Sequence, residues 1–190
     1  MKANPVIFVV VGTPGSGKDL LVQATNDMGV LHCRIVPKHT DRKRQADDSN
    51  EMICVDDEGH DLEGCDLTYS NYNNRYGIKL DLVWDQLKMG VAQVVVVSNI
   101  DAINCLCRAF GRMVKLVFVH SEMDEEKYRI EQHVLGNSDE YVNARVDAYN
   151  QALGLYFRNL TLFDHVLIYA DSKEDLFDQI FRLFSHYENI

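Results

Sequence analysis

The segment VVVGTPGSGKDLLV, residues 9–22, constrains this chain more than any other stretch. Its apolar lead-in, Val6 to Val11, reads as a buried strand, and Leu20, Leu21, Ala24 and Met28 follow with helical spacing. Between them stand Gly12, Thr13, Pro14, Gly15, Ser16, Gly17 and Lys18, the G-x-x-x-x-G-K of a phosphate-binding loop in its required strand–loop–helix setting. Glycines let backbone N–H groups converge on an anion, the helix start adds its positive dipole end, and Lys18 adds a mobile full charge. Residues Gly12 to Leu20 are therefore expected to hold nucleotide phosphates. One position departs from the pattern: Asp19 stands where Ser or Thr normally offers a hydroxyl to magnesium.

The rest of the chain fits a strand-and-helix alternation. Strands are expected at Val6–Val11, Val30–Val36, Ala92–Val97, Val114–Val119 and His165–Tyr169, all short and rich in Val and Ile, as strands covered on both faces should be. Helical periods run through Val142, Val146, Tyr149, Leu153 and Tyr156 behind Asn137 and Ser138, and through Leu176, Ile180, Leu183 and Tyr187 behind Ser172. Trp84 and Leu87 are expected to pack a helix after residue 78. The alternation implies an α/β fold with a mostly parallel sheet between helices. The segment Pro37 to Gly77 breaks the rhythm with a basic cluster (Lys38, His39, Arg42, Lys43, Arg44) followed by carboxylates from Asp47 to Asp66. It reads as an insert over the sheet, either a binding element or a solvated charged loop.

Length and charge narrow the function. At 190 residues, 46% apolar and 25% charged, one domain spanning 1–190 is expected. A formal charge of −10 argues against general affinity for nucleic acid or anionic membrane, so any bound anion must meet a local basic patch. Six apolar residues before Gly12 are too few for a signal-peptide core or a membrane span, and a cytoplasmic protein is expected. Five cysteines without paired C-x-x-C spacing suggest neither a disulfide framework nor structural zinc, but reduced, partly buried thiols. His32 with Cys33, and Cys105 with Cys107, read as packing residues rather than metal ligands, and the acidic run Asp56 to Glu58 as a solvated loop.

Beyond the loop, "HTDRKR" resembles the Thr-Thr-Arg-x-x-Arg acceptor segment of the guanylate kinase family, and "NNRYGI" its Asn-Tyr-Tyr-Gly turn. "EEKYRIEQH" and "NARVDAYNQ" are similar to that family's arginine-bearing lid helix and the helix after it, and "FDHVLIYADSKEDLFDQI" to its closing strand and helix. The likeness spans nearly the whole chain in the same order. It implies a P-loop three-layer sandwich of the nucleoside-monophosphate-kinase type, with an acceptor-binding insert at about 37–78 and a lid at about 122–145. It further implies ATP and Mg2+ as cofactors and a small phosphorylated acceptor as partner. Arg42 and Arg44 match arginines on the acceptor phosphate, and Tyr76 a tyrosine at the same phosphate; a guanidinium fork pairs with phosphate oxygens and a phenol adds a neutral donor. Lys18, Arg129 and Arg145 match the cations around the transferred phosphoryl group, although surface ion pairs with Glu125, Glu126, Asp139 and Asp147 also account for the last two. A middle lid arginine is replaced near His133.

The family's acidic residues at the end of the strand after the insert are missing, for Val94–Val97 run into Ser98, Asn99, Ile100 and Asp101. Either the anionic charge has moved, with Asp19 serving magnesium or its waters and Ser98 or Asn99 adding a neutral oxygen, or Asp19 only stabilises the first turn of its helix. Asp after the loop lysine also resembles the phosphate loop of ribose bisphosphate kinases, which phosphorylate a sugar phosphate. Base recognition in the guanylate kinase family uses a hydroxyl and an acid; Glu63, Asp66 and Thr68 are available. The expected activity is transfer of the ATP γ-phosphoryl group to a nucleoside monophosphate, GMP-like, or to a sugar phosphate, by a monomer or homodimer. A nucleotide-binding regulator that has lost turnover is the alternative.

Overall fold

The computed structural model describes residues 5–14, 16–27, 33–44, 52–55, 62–71, 74–170 and 172–188, apart from the side chains at 19, 22 and 25–27. In chain order the elements are β1 (Ile7–Gly12), α1 (Lys18–Asp27), β2 (Cys33–Ile35), β3 (Lys38–Thr40), β4 (Met52–Ile53), β5 (Leu67–Asn71), β6 (Asn74–Ile78), α2 (Leu80–Lys88), β7 (Ala92–Val96), α3 (Ile100–Phe110), β8 (Val114–His120), α4 (Glu125–Val134), α5 (Asp139–Arg158), β9 (His165–Ile168) and α6 (Lys173–Glu188). A parallel five-stranded sheet has the order β2-β7-β1-β8-β9.

The most apolar strand takes the middle. All six residues of β1 are buried, and their period of two divides them between the faces of the sheet. Ile7, Val9 and Val11 pack with Val83 and Leu87 of α2, Ile103 and Leu106 of α3, and Leu155 of α5. Phe8 and Val10 pack with Leu21 and Ala24 of α1 and with Leu176, Ile180 and Phe184 of α6. Each buried Val or Phe side chain contributes about 1.5–3 kcal/mol of transfer free energy, so β1 is the anchor of a helix–sheet–helix sandwich. No helix among the described residues is long and apolar enough to cross a membrane.

Most of the expected boundaries hold within a residue or two. Of the expected strand Val30–Val36, β2 covers Cys33–Ile35, and 30–32 lie outside the described residues. Ser138 caps α5 by accepting from the Tyr141 N–H, and Ser172 accepts from the Asp175 N–H at the start of α6. Leu87 is buried in α2, and Trp84 lies 4.9 Å from Phe110, ring centre to ring centre. The cysteines are all free, and burial pushes the Cys33 thiol up to about 12, which removes its nucleophilic thiolate at neutral pH. His32 and Asp56–Glu58 lie outside the described residues.

The segment from 38 to 78 is not a plain loop. It forms a second sheet of order β4-β3-β6-β5, in which β3 and β5 both run antiparallel to β6. Strand β5 alternates, with Leu67 and Tyr69 buried while Thr68 and Ser70 are exposed, so one face seals onto the core and the other stays open.

Candidate active site

The crevice at the carboxyl ends of parallel strands is where an α/β sheet accepts ligands, above all where the strand order reverses. Strand β1 lies between β7 and β8, and the phosphate loop leaves its carboxyl end at that point. The loop is seated on β8: the Thr13 N–H donates to the Val119 carbonyl (3.3 Å) and the Ser121 N–H to Thr13 Oγ1 (3.4 Å). Only glycine fits at position 12, because a Cβ there would stand 2.5 Å from the Val119 carbonyl oxygen and 2.8 Å from Ser16 Oγ. Gly17 has φ +79°, and a Cβ on it would meet Leu176 of α6 at 2.8 Å. The turn therefore packs against both layers, and α1 starts immediately after it, with the Leu20 and Leu21 N–H groups on the Gly17 carbonyl.

Two polar groups in this cup are arranged for an anion. Ser16 Oγ is buried and has no hydrogen-bond partner among the described residues, a cost the fold bears only where a ligand or water completes the site. The Lys18 ammonium curls back onto the carbonyls of Gly12 (3.0 Å) and Thr13, which holds a full positive charge at the loop mouth. The residues thus fit a polyphosphate. Gly15 and the side chain of Asp19 lie outside the described residues; the backbone of Asp19 is in the first turn of α1.

Across the crevice, the second sheet positions the basic segment. Thr40, buried, donates to the Arg75 carbonyl (2.8 Å), and its hydroxyl also receives the Arg42 N–H. Asp41 accepts from both the backbone N–H and the Nε of Arg75, each at 2.8 Å, and these bonds hold its carboxyl below the usual range. The turn bearing Arg42 is thereby tied to β6. Arg42 donates to the Lys43 carbonyl, and Arg44 reaches back to the Met52 carbonyl at 2.7 Å. Tyr76 is half-buried and stacks on Tyr69 at 5.4 Å. Gly77 admits the neighbouring turn, since a Cβ there would lie 2.6 Å from Cys65 Sγ. Beside it, Leu62, Glu63, Thr68 and Arg75 line a cavity of about 400 Å³.

The expected lid maps onto α4 and the start of α5. Arg129 bonds Glu125 (2.9 Å) and Asn143 (2.8 Å), so it joins the two helices. Arg145 donates to the Tyr141 hydroxyl and lies 5.4 Å from that ring. His133 faces Asp139 at 3.5 Å across the turn.

A mostly parallel sheet in this strand order, a glycine cup on its central strand and a small accessory sheet bearing arginines match one known architecture. The chain superposes on the guanylate kinase of Anaplasma phagocytophilum with a TM-score of 0.65, covering 98% of this chain and 87% of that one at 15% identity. The chain has the guanylate kinase fold. A dephospho-CoA kinase from Campylobacter jejuni matches at a TM-score of 0.46 and 12% identity, over 97% of this chain and 98% of that one. No protein-family model and no curated protein matches the sequence.

Within this guanylate kinase fold, the end of β7 is committed differently from the expectation for a metal-side oxygen at Asn99. Asn99 Oδ1 caps α3 by accepting from the Asp101 and Ala102 N–H groups, and its Nδ2 donates to the Ser70 carbonyl. Ser98 Oγ accepts one long bond, 3.4 Å, from Asn71. Among the described residues no group of three or more His, Cys, Asp or Glu is placed to hold a metal ion.

Sequence reasoning missed three positioning residues. Asp41 and Arg75 sit inside the quoted motifs but pair across 34 positions, which no local pattern shows. Tyr149 of α5 receives the Met123 N–H and donates to the Ser121 carbonyl, both at 3.3 Å, and so pins the connection from β8 to α4. Its helical spacing marked it as a core residue; the reach of its hydroxyl left no trace in the sequence.

Proposed function

We propose that this protein is an ATP-dependent kinase that passes the γ-phosphoryl group to a nucleoside monophosphate of the GMP type. The observation that carries the reading is the glycine cup with its buried, unmatched Ser16 hydroxyl beside Lys18 at the carboxyl end of β1. Phosphoryl transfer asks mainly for positioning and charge neutralisation, and the remaining residues divide that work. Residues 12–20 hold the ATP phosphates, with Lys18 on the group to be transferred. Arg42, Arg44 and Tyr76 take the acceptor phosphate. Glu63 and Thr68, which share a cavity of about 400 Å³ with Arg75, give a hydroxyl and a carboxylate for the edge of a purine base. This cavity favours a base-bearing acceptor over a sugar phosphate.

Arg129 and Arg145 close over the reaction as the lid. Exposed ion pairs such as Arg129 with Glu125 contribute about 0–1 kcal/mol, so exchanging a lid partner for a phosphate oxygen costs little. Magnesium, when bound, neutralises phosphate charge, and Asp19 and Ser98 are the residues that would touch it or its waters. No general base is needed, because the acceptor phosphate is already anionic.

The test is ATP consumption with GMP, other nucleoside monophosphates and ribose 1,5-bisphosphate as acceptors. Saturable turnover with GMP, abolished by Lys18→Ala and raised in KM by Glu63→Gln, is the expected result. Turnover with ribose 1,5-bisphosphate alone reassigns the acceptor. ATP binding without turnover on any acceptor makes the protein a regulator, a reading favoured by the engagement of both lid arginines within α4 and α5.

A further inference from the structure

Away from the phosphate loop, the accessory sheet joins the main sheet through two chain segments. One runs from β2 through Val36 and Pro37 to β3, the other from β6 through Lys79 to α2. Both border a cavity of about 230 Å³ behind the edge strand β2. Its apolar wall is Ile35, Val36, Pro37, Leu82 and Val83, of which Val36 and Val83 are buried. Its polar lining is Arg34, Lys79, His39, Gln86 and Gln93, with no carboxylate among the described lining residues, in a chain whose net charge is −10. Asp66 and Asp81 accept the backbone N–H groups of Leu80 and Leu82 at the start of α2. Gln93 is buried, and its amide nitrogen donates to the Val91 and Ala92 carbonyls.

We propose that this cavity is a second ligand site, for a compact organic anion with a small apolar body, held between Arg34 and Lys79 at the junction of the two sheets. The space, about 230 Å³, suits a metabolite-sized carboxylate or phosphate ester. Two cations facing one anion form charge-assisted bonds, and the apolar wall takes the body of the ligand. Because the lining residues come from both connecting segments, occupancy ties the two sheets together and biases how the accessory sheet sits on the main sheet. The site needs no nucleotide and stands apart from the kinase reading.

The experiment uses the full chain and benzoate, a carboxylate on a flat apolar ring, with inorganic phosphate as the purely ionic probe. Backbone amide resonances are followed in the wild type, Arg34→Gln, Lys79→Gln, the off-site control Lys88→Gln, and Lys18→Ala. Saturable benzoate shifts at Lys79, Val83 and Gln93 are expected, retained in Lys88→Gln and Lys18→Ala and weakened about tenfold in Arg34→Gln and in Lys79→Gln. Hydrogen exchange at 36–38 and 78–80 is expected to slow with benzoate. Phosphate is expected to shift the loop at 12–18 and to bind the cavity more weakly than benzoate. Absence of saturable shifts at the cavity, or equal benzoate binding in all four variants, overturns the proposal. Either result leaves the loss of ATP binding in Lys18→Ala, and with it the kinase reading, untouched.

Discussion

The phosphate loop and the α4–α5 hairpin are held by opposite means. Behind the loop lies β1, buried along its whole length, with the Phe8 ring tilted against Phe184 at 5.2 Å and edge-on to Tyr187 at 5.3 Å. Helix α4 buries none of its residues, exposes Ile130, Val134 and Leu135, and is joined to α5 by Arg129 with Asn143 and by His133 with Asp139. One region is fixed by packing, the other by exchangeable polar contacts. A rigid cup and a loosely held helix pair are what the proposed phosphoryl transfer needs when it must bind a polyphosphate, exclude water and then release product.

Truncation in the two regions should differ most in stability. Phe8→Ala is expected to cost about 3–5 kcal/mol in denaturant unfolding, whereas Ile130→Ala changes stability by less than about 0.5 kcal/mol. Equal costs would mean that α4 is packed in solution. For activity the contrast is of a different kind. Lys18→Ala should lower turnover by about 100- to 1000-fold and abolish ATP affinity, while Arg129→Ala lowers turnover yet leaves ATP affinity unchanged. Loss of ATP affinity in Arg129→Ala would assign that residue to the cup.

Tyr149 links the regions, since it holds Ser121, whose N–H rests on Thr13 of the loop. Tyr149→Phe should cost about 1 kcal/mol and accelerate hydrogen exchange at Ser121 and Met123 without altering ATP affinity. The smallest effect concerns the Asp41–Arg75 clamp. Its carboxyl is held below the unfolded value, so its contribution is present above that value and is lost as pH falls through the lower folded value. Asp41→Asn should therefore lower Tm at neutral pH and converge with the wild type in acid; a gap that stays constant down through the carboxylate range contradicts the clamp.

What was legible in the sequence follows the range of the interactions involved. Strand β1, its loop and the capped starts of α5 and α6 are written in neighbouring residues: a valine run, three glycines, Ser138 and Ser172. The accessory sheet was not legible as a sheet, because its strands are two to five residues long and β3 finds β6 across more than thirty positions of charged chain. Asn99 invited a metal-side reading from its place at a strand end, but the same position starts α3, and two orphan N–H groups claim its carbonyl first. Arg129 and Arg145 were marked by likeness alone, and their partners became visible only once α4 and α5 were seen side by side.

The account rests on the cup between Gly12 and Lys18, and isothermal titration of ATP into the folded chain, with and without Mg2+, tests it most directly. Saturable heat in the wild type that disappears in Lys18→Ala while the far-ultraviolet circular dichroism stays native is the predicted result. A folded wild type that takes up no ATP at millimolar concentration under either condition would contradict it.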